Sequence, residues 1–234
     1  MRQIISATCG LWLCLTGSAE AQSKPVVVVE LYTSQGCSSC PPADEFVATL
    51  AMDPSILPLS LHVDYWDYIG WKDKFADPLF TARQKRYARA FGTRSIYTPQ
   101  FIVGGIDRVE GNKPDLTASL VGKHLKAAQD IGLTLTRQGD ILTIRADALA
   151  PGASGITQVQ LVRFIPAETV EIERGENAGK TVHYVNIVTS WQNIGDWSGA
   201  DPLDLQTSVS GNDAIVVIVQ QEGPAYILAA ARAE

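Results

Sequence analysis

The sequence lacks an excess of basic residues. Its 234 residues include 19 Lys and Arg against 25 Asp and Glu, which gives a formal charge of −6. Binding to a phosphate backbone needs a concentrated basic surface, so this balance excludes a nucleic-acid binder driven by charge. Low-complexity tracts and internal repeats are also missing. Hydrophobic residues make up 46% of the chain, as in ordinary globular proteins.

Long apolar runs are missing too, except near the start of the chain. Residues 4–15 are mostly apolar, follow Arg2 and precede the small-x-small tripeptide Ala19-Glu20-Ala21. This pattern is typical of a Sec-type signal peptide over residues 1–21, so we expect a periplasmic or secreted protein. The run is shorter than the ~20 residues of a membrane span, so no stable membrane insertion is expected after cleavage. An uncleaved N-terminal anchor is the alternative.

Cysteine is scarce, with four residues in the chain. Cys9 and Cys14 lie within the predicted signal peptide, so the exported protein would keep only Cys37 and Cys40, three positions apart. A disulfide that closes so small a loop stabilises a fold very little. The pair is therefore more consistent with a chemical role than with a structural one.

The residues around the cysteine pair predict a strand, a turn and a helix. Residues 26–32 form a β-branched run typical of a strand buried on both faces, and apolar residues recur with helical spacing over 43–51. Prolines and Asp44 suit the first turn of that helix. A helix N-terminus stabilises a thiolate, so we predict Cys37 as the exposed nucleophile and Cys40 as the buried, resolving cysteine.

Two kinds of pattern divide the mature chain. Up to residue 131, strand and helix patterns alternate, with further helices expected at 79–91 and 113–131. From residue 132, short strand candidates follow one another, separated by turn residues. We therefore predict an α/β domain over residues 22–131, followed by an antiparallel, sandwich-like β domain over residues 132–234.

Two features are candidates to act with the cysteines. Thr98-Pro99 opens a strand candidate, and a cis peptide bond there would place backbone groups of Thr98 beside the cysteines for substrate binding. The sequence leaves the isomer open, since cis is the minor form of most X-Pro bonds. Glu30, within the first strand, is either a proton shuttle for Cys40 or a strand-end carboxylate with a polar partner.

Aromatic and basic residues add two further hypotheses. Trp66 and Trp71 belong to an aromatic cluster over 65–71 that either forms the floor of a substrate groove beside Cys37 or packs in the core or at a domain interface. The basic stretch over 83–94 is either a solvated helix face, which we favour, or a site for an anionic partner.

A metal site is the alternative to redox chemistry at the cysteines. His62 follows the strand expected to neighbour the first one, so Cys37, Cys40 and His62 could bind copper(I) or zinc, as in a periplasmic copper(I) chaperone. A third possibility is a module that binds a partner and whose disulfide is merely inherited. Thiol–disulfide exchange itself requires no cofactor.

Several segments together resemble a known family. They are Val29–Asp44, His62–Asp67, Gly70–Asp73, Tyr97–Gln100 and Arg174–Gly179. Residues 26–130 resemble the thioredoxin superfamily, and the segments together are similar to a bacterial family of secreted proteins of unknown function. The resemblance implies a thioredoxin-like fold, a CxxC redox pair and a cis-proline at Pro99, and it names no substrate.

The sequence departs from thioredoxin itself. Gly36 replaces the tryptophan usual before the first cysteine, and Ser38-Ser39 replaces Gly-Pro between the cysteines. We predict an exported thiol–disulfide oxidoreductase that acts on protein thiols or disulfides, with Cys37 attacking and Cys40 resolving. The direction of electron transfer, the partner, the oligomeric state and the role of the β-rich half are not specified by the sequence.

Overall fold

The computed structural model describes residues 25–127, 131–150 and 155–233. The predicted signal peptide, with Cys9 and Cys14, lies outside the described residues. The first half contains β1 (Val27–Thr33), α1 (Pro41–Leu50), β2 (Ile56–His62), a 3-10 turn (Asp67–Ile69), α2 (Pro78–Ala90), β3 (Gln100–Val103), β4 (Asp107–Glu110) and α3 (Pro114–Ala127). The second half contains β5 (Thr134–Gln138), β6 (Ile141–Ala146), β7 (Thr157–Glu171), β8 (Thr181–Trp197), β9 (Leu203–Ser208), β10 (Ala214–Gln221) and β11 (Ile227–Ala233).

Most strands belong to one large sheet that runs through both halves of the chain. Its eight strands lie in the order β11-β10-β7-β8-β2-β1-β3-β4. The pairs β1–β2 and β2–β8 are parallel, and the other pairs are antiparallel. The contact between β2 and β8 joins the two predicted domains edge to edge. A second sheet has the order β5-β6-β9. Because the described part of the chain combines these sheets with three α-helices, the fold is mixed α/β.

Helices cover both faces of the first half of the sheet. Alternate residues of a strand point to opposite faces. Val27, Val29 and Leu31 pack in one apolar cluster with residues of α1 and α3, whereas Val28 and Tyr32 pack in another with residues of α2. Because β1 is buried on both faces, its sequence is apolar throughout rather than alternating.

The second sheet packs against the β-rich end of the large one. Leu142 and Ile144 of β6 share an apolar cluster with Leu161 of β7 and Val217 of β10. This layering agrees with the predicted antiparallel, sandwich-like half. The division at residue 131 stays a prediction, because the large sheet is continuous across it. Among the described residues, no helix is long and apolar enough to cross a membrane.

Most predicted elements of the chain are confirmed, and two differ. The strand β9 was not predicted, because it is a short run in which Leu203 and Leu205 alternate with polar residues. The strand candidates at 159–165 and 170–172 are parts of one long strand, β7. A long β7–β8 hairpin is thereby formed, and its turn reaches the cysteine pair.

Candidate functional site

The cysteine pair lies in the turn between β1 and α1. Cys37 and Cys40 are joined by a disulfide, with their Cα atoms 5.4 Å apart. Cys40 is the N-cap residue of α1, which begins at Pro41, and its carbonyl accepts hydrogen bonds from the amides of Ala43 and Asp44. The predicted position of the pair at a helix N-terminus is therefore confirmed. At such a position the unpaired N–H groups and the helix dipole favour an anionic sulfur.

The predicted exposure of Cys37 is wrong. Its side chain is 1% exposed and that of Cys40 is 0% exposed, whereas Ser38 and Ser39 between them are exposed. Asn177 in the β7–β8 turn is also buried and bonds to the main chain of the cysteine turn. Its Nδ2 donates to the carbonyl oxygens of Gln35 and Cys37 at 2.9 and 2.8 Å. This contact joins residues 140 positions apart, so local sequence patterns did not reveal it.

Both predicted tryptophans contact the turn that precedes Cys37. Trp71 Nε1 donates to Gln35 Oε1 at 2.7 Å, and Trp66 Nε1 donates to Thr98 Oγ1 at 2.8 Å. A Cβ atom added to Gly36 would lie 3.1 Å from the Cβ of Trp66. Glycine therefore allows the indole-bearing loop to approach the cysteine turn closely.

Thr98-Pro99 lies at the same end of the sheet as the cysteines. Its peptide bond is cis. Gln100, the next residue, pairs with Tyr32 near the end of β1. The half-buried Trp66 connects Thr98 to the loop around Gly36. The structure thus brings together Thr98, Pro99, both tryptophans and the cysteine turn.

A buried polar cluster lies on the α1 face of the sheet, next to the cysteines. Thr33 Oγ1 donates to Asp44 Oδ1 at 2.8 Å. His62 Nδ1 and Asp73 Oδ2 are 2.7 Å apart, and the amide of Gln35 donates to the same Asp73 oxygen at 2.8 Å. All five residues are buried. We call this group the Asp44 cluster.

Several atoms of the Asp44 cluster have no partner. Within the described residues, no hydrogen bond is made by Asp44 Oδ2, His62 Nε2 or Gln35 Nε2, although all three are buried. Such atoms are rare in folded proteins, because each costs the free energy of its lost hydration. Their concentration beside the cysteines marks this cluster as a candidate for proton chemistry.

The two carboxyl groups of the cluster differ in pKa. Burial raises the pKa of Asp44 to about 7, against the lowering effects of His62 and of the Thr33 hydrogen bond. Burial also acts to raise the pKa of Asp73, but the charge of His62 and the donors around the carboxylate outweigh it and hold that pKa below its usual range. Asp44 is therefore the group able to gain and lose a proton near neutral pH.

Glu30 lies on the other face of the sheet, away from α1. Its carboxylate accepts from Arg83 Nε and Nη2 at 2.8 Å each, from Tyr87 Oη at 2.6 Å and from Tyr32 Oη at 2.9 Å. Arg83 Nη2 also donates to Gln220 Oε1 of β10 at 3.0 Å. We call this the Glu30 network. Its geometry fits the strand carboxylate with polar partners rather than the proton shuttle.

Sequence reasoning missed three residues of the site. The sequence marks Asp44 only as a partner of the helix dipole, and Asp73 and Asn177 only as parts of segments that carry the family resemblance. A signal existed for Asp44, since it lies four residues after Cys40 and therefore on the same helix face. For Asp73 and Asn177 no local pattern indicated the contact.

The metal alternative gains no support from the geometry. Among the described residues, no group of three or more His, Cys, Asp and Glu side chains could hold a metal ion. Cys37 and Cys40 are bonded to each other, and one nitrogen of His62 is engaged with Asp73.

Comparisons with known proteins agree with this architecture. A family model described as "Protein of unknown function (DUF1223)" matches residues 28–220. None of the curated proteins matches the chain. A crystal structure of a protein from Agrobacterium tumefaciens, a structural genomics target, is 32% identical, with a TM-score of 0.76 over 90% of this chain and 95% of that one.

A more distant likeness is one of fold alone. HBP35 of Porphyromonas gingivalis is 17% identical, with a TM-score of 0.57 over 89% of this chain and 74% of that one. The family model, in contrast, spans most of the chain, and the Agrobacterium protein is similar over nearly its whole length. The chain therefore belongs to the DUF1223 family of proteins of unknown function.

Proposed function

We propose that this protein is an exported thiol–disulfide oxidoreductase with a thioredoxin-like first half. One observation carries the proposal. The CxxC pair lies at the N-terminus of α1, and a buried carboxyl group with an unpartnered oxygen, that of Asp44, follows one helical turn later. The order of β1, α1, β2, α2, β3, β4 and α3, with helices on both faces, supports the resemblance to thioredoxins. Export rests on the pattern of residues 1–21.

The chemistry is a transfer of two electrons between a dithiol and a disulfide. In the reducing direction, the Cys37 thiolate attacks one sulfur of a substrate disulfide, which forms a mixed disulfide and releases one substrate thiolate. Cys40 then loses its proton and attacks Sγ of Cys37. This step restores the Cys37–Cys40 disulfide and releases the second substrate sulfur, so the substrate is reduced and the protein is oxidised. The oxidising direction is the same sequence reversed.

Asp44 is the proton acceptor for Cys40 in this scheme. The amide of Asp44 donates to the Cys40 carbonyl at 3.1 Å, as expected for residues one turn apart. Helical side chains lean toward the N-terminus, so the carboxyl group of Asp44 leans toward Cys40. With a pKa of about 7, this carboxylate is matched to proton transfer at neutral pH. Thr33 positions this carboxylate through a hydrogen bond, and the charges of His62 and Asp73 act on its pKa in opposite directions, His62 lowering it and Asp73 raising it.

The β7–β8 turn controls access to Cys37. Asn177 must release the Cys37 carbonyl before a partner reaches the sulfur, because the side chain is otherwise covered. Trp66, Trp71 and Thr98 lie around the cysteine turn and form the surface on which a protein partner would lie. The β-rich half thus takes part in substrate selection.

Trapping of a mixed disulfide tests the proposal. The Cys40→Ser variant lacks the resolving sulfur, so it should accumulate a covalent complex through Cys37 with a thiol-bearing protein partner. The matched Cys37→Ser variant should accumulate none. The proposal is wrong if Cys37 in the reduced protein has the pKa of an ordinary thiol and exchanges with oxidised glutathione no faster than a free thiol does.

The reduction potential of the Cys37–Cys40 couple then decides the direction. A value near ~−270 mV indicates a reductant, as for thioredoxin, and one near ~−120 mV indicates an oxidant.

A further inference from the structure

A polar cleft lies between α2 and the β7–β8 ladder, on the sheet face opposite α1. Its volume is about 670 Å³, which is in the range of small-molecule sites. One wall carries Arg83, Arg86 and Arg89 of α2. These residues are three positions apart, so they share one helix face. The cleft is independent of the cysteine site in both position and chemistry.

The floor of the cleft is built around the buried Arg83. Its guanidinium lies 3.7 Å from the ring centroid of Trp191, and the side chain is 3% exposed. Trp191 is held in turn, because its Nε1 donates to Gln160 Oε1 at 2.7 Å. These contacts fix the guanidinium rigidly, so a ligand would meet a preorganised donor.

One end of the Arg83 guanidinium remains available. Its hydrogen bonds to Glu30, Tyr87 and Gln220 use Nε and Nη2. Within the described residues no hydrogen bond uses Nη1, which is the terminal nitrogen of a side chain that lines the cleft. Nη1 is not one of the fully buried atoms that lack a partner, so it reaches solvent and can donate to a ligand in the cleft.

The rim of the cleft is rich in positive charge. Arg86 and Arg89 make no ion pair among the described residues, and the acid that lines this cleft is the exposed Glu222. Partial burial lowers the pKa of Arg86, and the charge of Arg83 lowers it further. Arg86 and Arg89 also border a second cleft, which Asp64 lines. Among the described residues Asp64 pairs with neither arginine, and its carboxylate accepts a hydrogen bond from Thr81. An anion would relieve the repulsion between these arginines.

We propose that this cleft binds a small molecule with carboxylate or phosphate groups. Its anionic oxygen accepts from Nη1 of Arg83, and Arg86 and Arg89 hold the remaining charge from the rim. Arginine suits both anions, since its planar guanidinium matches their paired oxygens. Gln158 and Asn193, also on the cleft wall, offer amide groups to the uncharged part of the molecule.

Calorimetric titration of the full-length protein tests the site with three probes: citrate, inorganic phosphate and hexaglutamate. We expect citrate or phosphate to bind saturably at constant ionic strength, and the stronger of the two identifies the anion. The double variant Arg86→Gln, Arg89→Gln should weaken that binding about tenfold or more, which corresponds to ~1.4 kcal/mol. Arg83 itself is left intact because its loss would disturb the fold.

The matched control is Arg94→Gln, which removes one charge from an exposed residue outside the cleft. It should change the dissociation constant less than about twofold, since screened surface charges interact weakly. The proposal is overturned if neither citrate nor phosphate binds saturably. It is also overturned if Arg94→Gln weakens binding as much as the double variant does, or if hexaglutamate alone binds, which would identify a surface for acidic proteins.

Discussion

Two buried carboxyl groups, Glu30 and Asp44, lie on opposite faces of the same sheet and differ in how fully they are bonded. Glu30 accepts four hydrogen bonds from Arg83, Tyr87 and Tyr32. Asp44 accepts one, from Thr33, and its Oδ2 has no partner within the described residues. Glu30 also has a cation in direct contact, whereas Asp44 has none.

The difference separates a structural acid from a candidate chemical one. A buried carboxylate that is paired with a cation and saturated with donors joins the elements that carry its partners. A buried carboxyl group with few donors has its pKa raised by burial, so Asp44 changes charge near neutral pH. The Glu30 network therefore links β1, α2 and β10, and the Asp44 cluster serves the cysteines.

The largest expected effect comes from breaking the Glu30 network. Arg83→Met should lower the free energy of unfolding by about 3–5 kcal/mol, because it leaves Glu30 buried without its cation. Urea unfolding at pH 7 measures this loss. The double variant Glu30→Gln, Arg83→Met should recover part of it, since no isolated charge then remains. A loss below ~1 kcal/mol for Arg83→Met would remove the structural role of the network.

Removing the charge of Asp44 should raise the free energy of unfolding near neutral pH, whereas breaking the Glu30 network lowers it. Its pKa rises from 3.8 to about 7 on folding, so the native protein keeps the proton longer than the unfolded chain. The contribution of Asp44 to the free energy of unfolding should thus be highest below about pH 4 and fall as pH rises through 7. Asp44→Asn should abolish this decline and stabilise the protein at pH 8 by about 2–4 kcal/mol, at ~1.4 kcal/mol per pKa unit.

Urea unfolding between pH 4 and 8 measures the stability of Asp44→Asn. Glu45→Gln, an exposed neighbour on the same helix, is the control with the same change in charge and should leave the pH profile unaltered. Equal stability of Asp44→Asn and the native protein at every pH would show that Asp44 carries no buried charge.

The Asp44→Asn substitution should also slow thiol–disulfide exchange. Asp44→Asn should reduce the rate at which Cys40 resolves a preformed mixed disulfide by about 10–100-fold, as expected when a general base is lost. It should also remove the rise in that rate near pH 7. Stopped-flow release of a fluorescent thiol measures both effects. An unchanged pH profile, with Glu45→Gln as reference, would leave Asp44 without a part in proton transfer.

The smallest expected effect concerns access to Cys37. Asn177→Ala removes two hydrogen bonds from the cysteine turn, at a net ~1 kcal/mol each. The rate at which a small thiol attacks the Cys37–Cys40 disulfide should rise about three- to tenfold. Glu176→Ala, an exposed change in the same turn, should leave the rate unaltered. A rate that stays the same in both variants would contradict the covering role of Asn177.

Local patterns were sufficient for the elements but not for the site. The strand, turn and helix around Cys37 and Cys40 were predictable, because propensity, proline placement and apolar spacing act within a few residues. The environment of Glu30 was not, because a strand buried on both faces has no polar alternation to show which face each side chain takes. The exposure of Cys37 was predicted wrongly for a similar reason, since the cysteine turn packs against distant parts of the chain, among them Asn177.

The sequence by itself determined that two cysteines, three residues apart, lie where a strand turns into a helix. Neighbouring peptide groups suffice for that, since a helix N-terminus is made by the residues that follow it. Only the tertiary structure decided which acid stays unpaired beside them, which arginine neutralises Glu30 and which asparagine donates to the Cys37 carbonyl. Burial and pairing are set by side chains that are distant in sequence, and hydration lost on folding makes those contacts decisive.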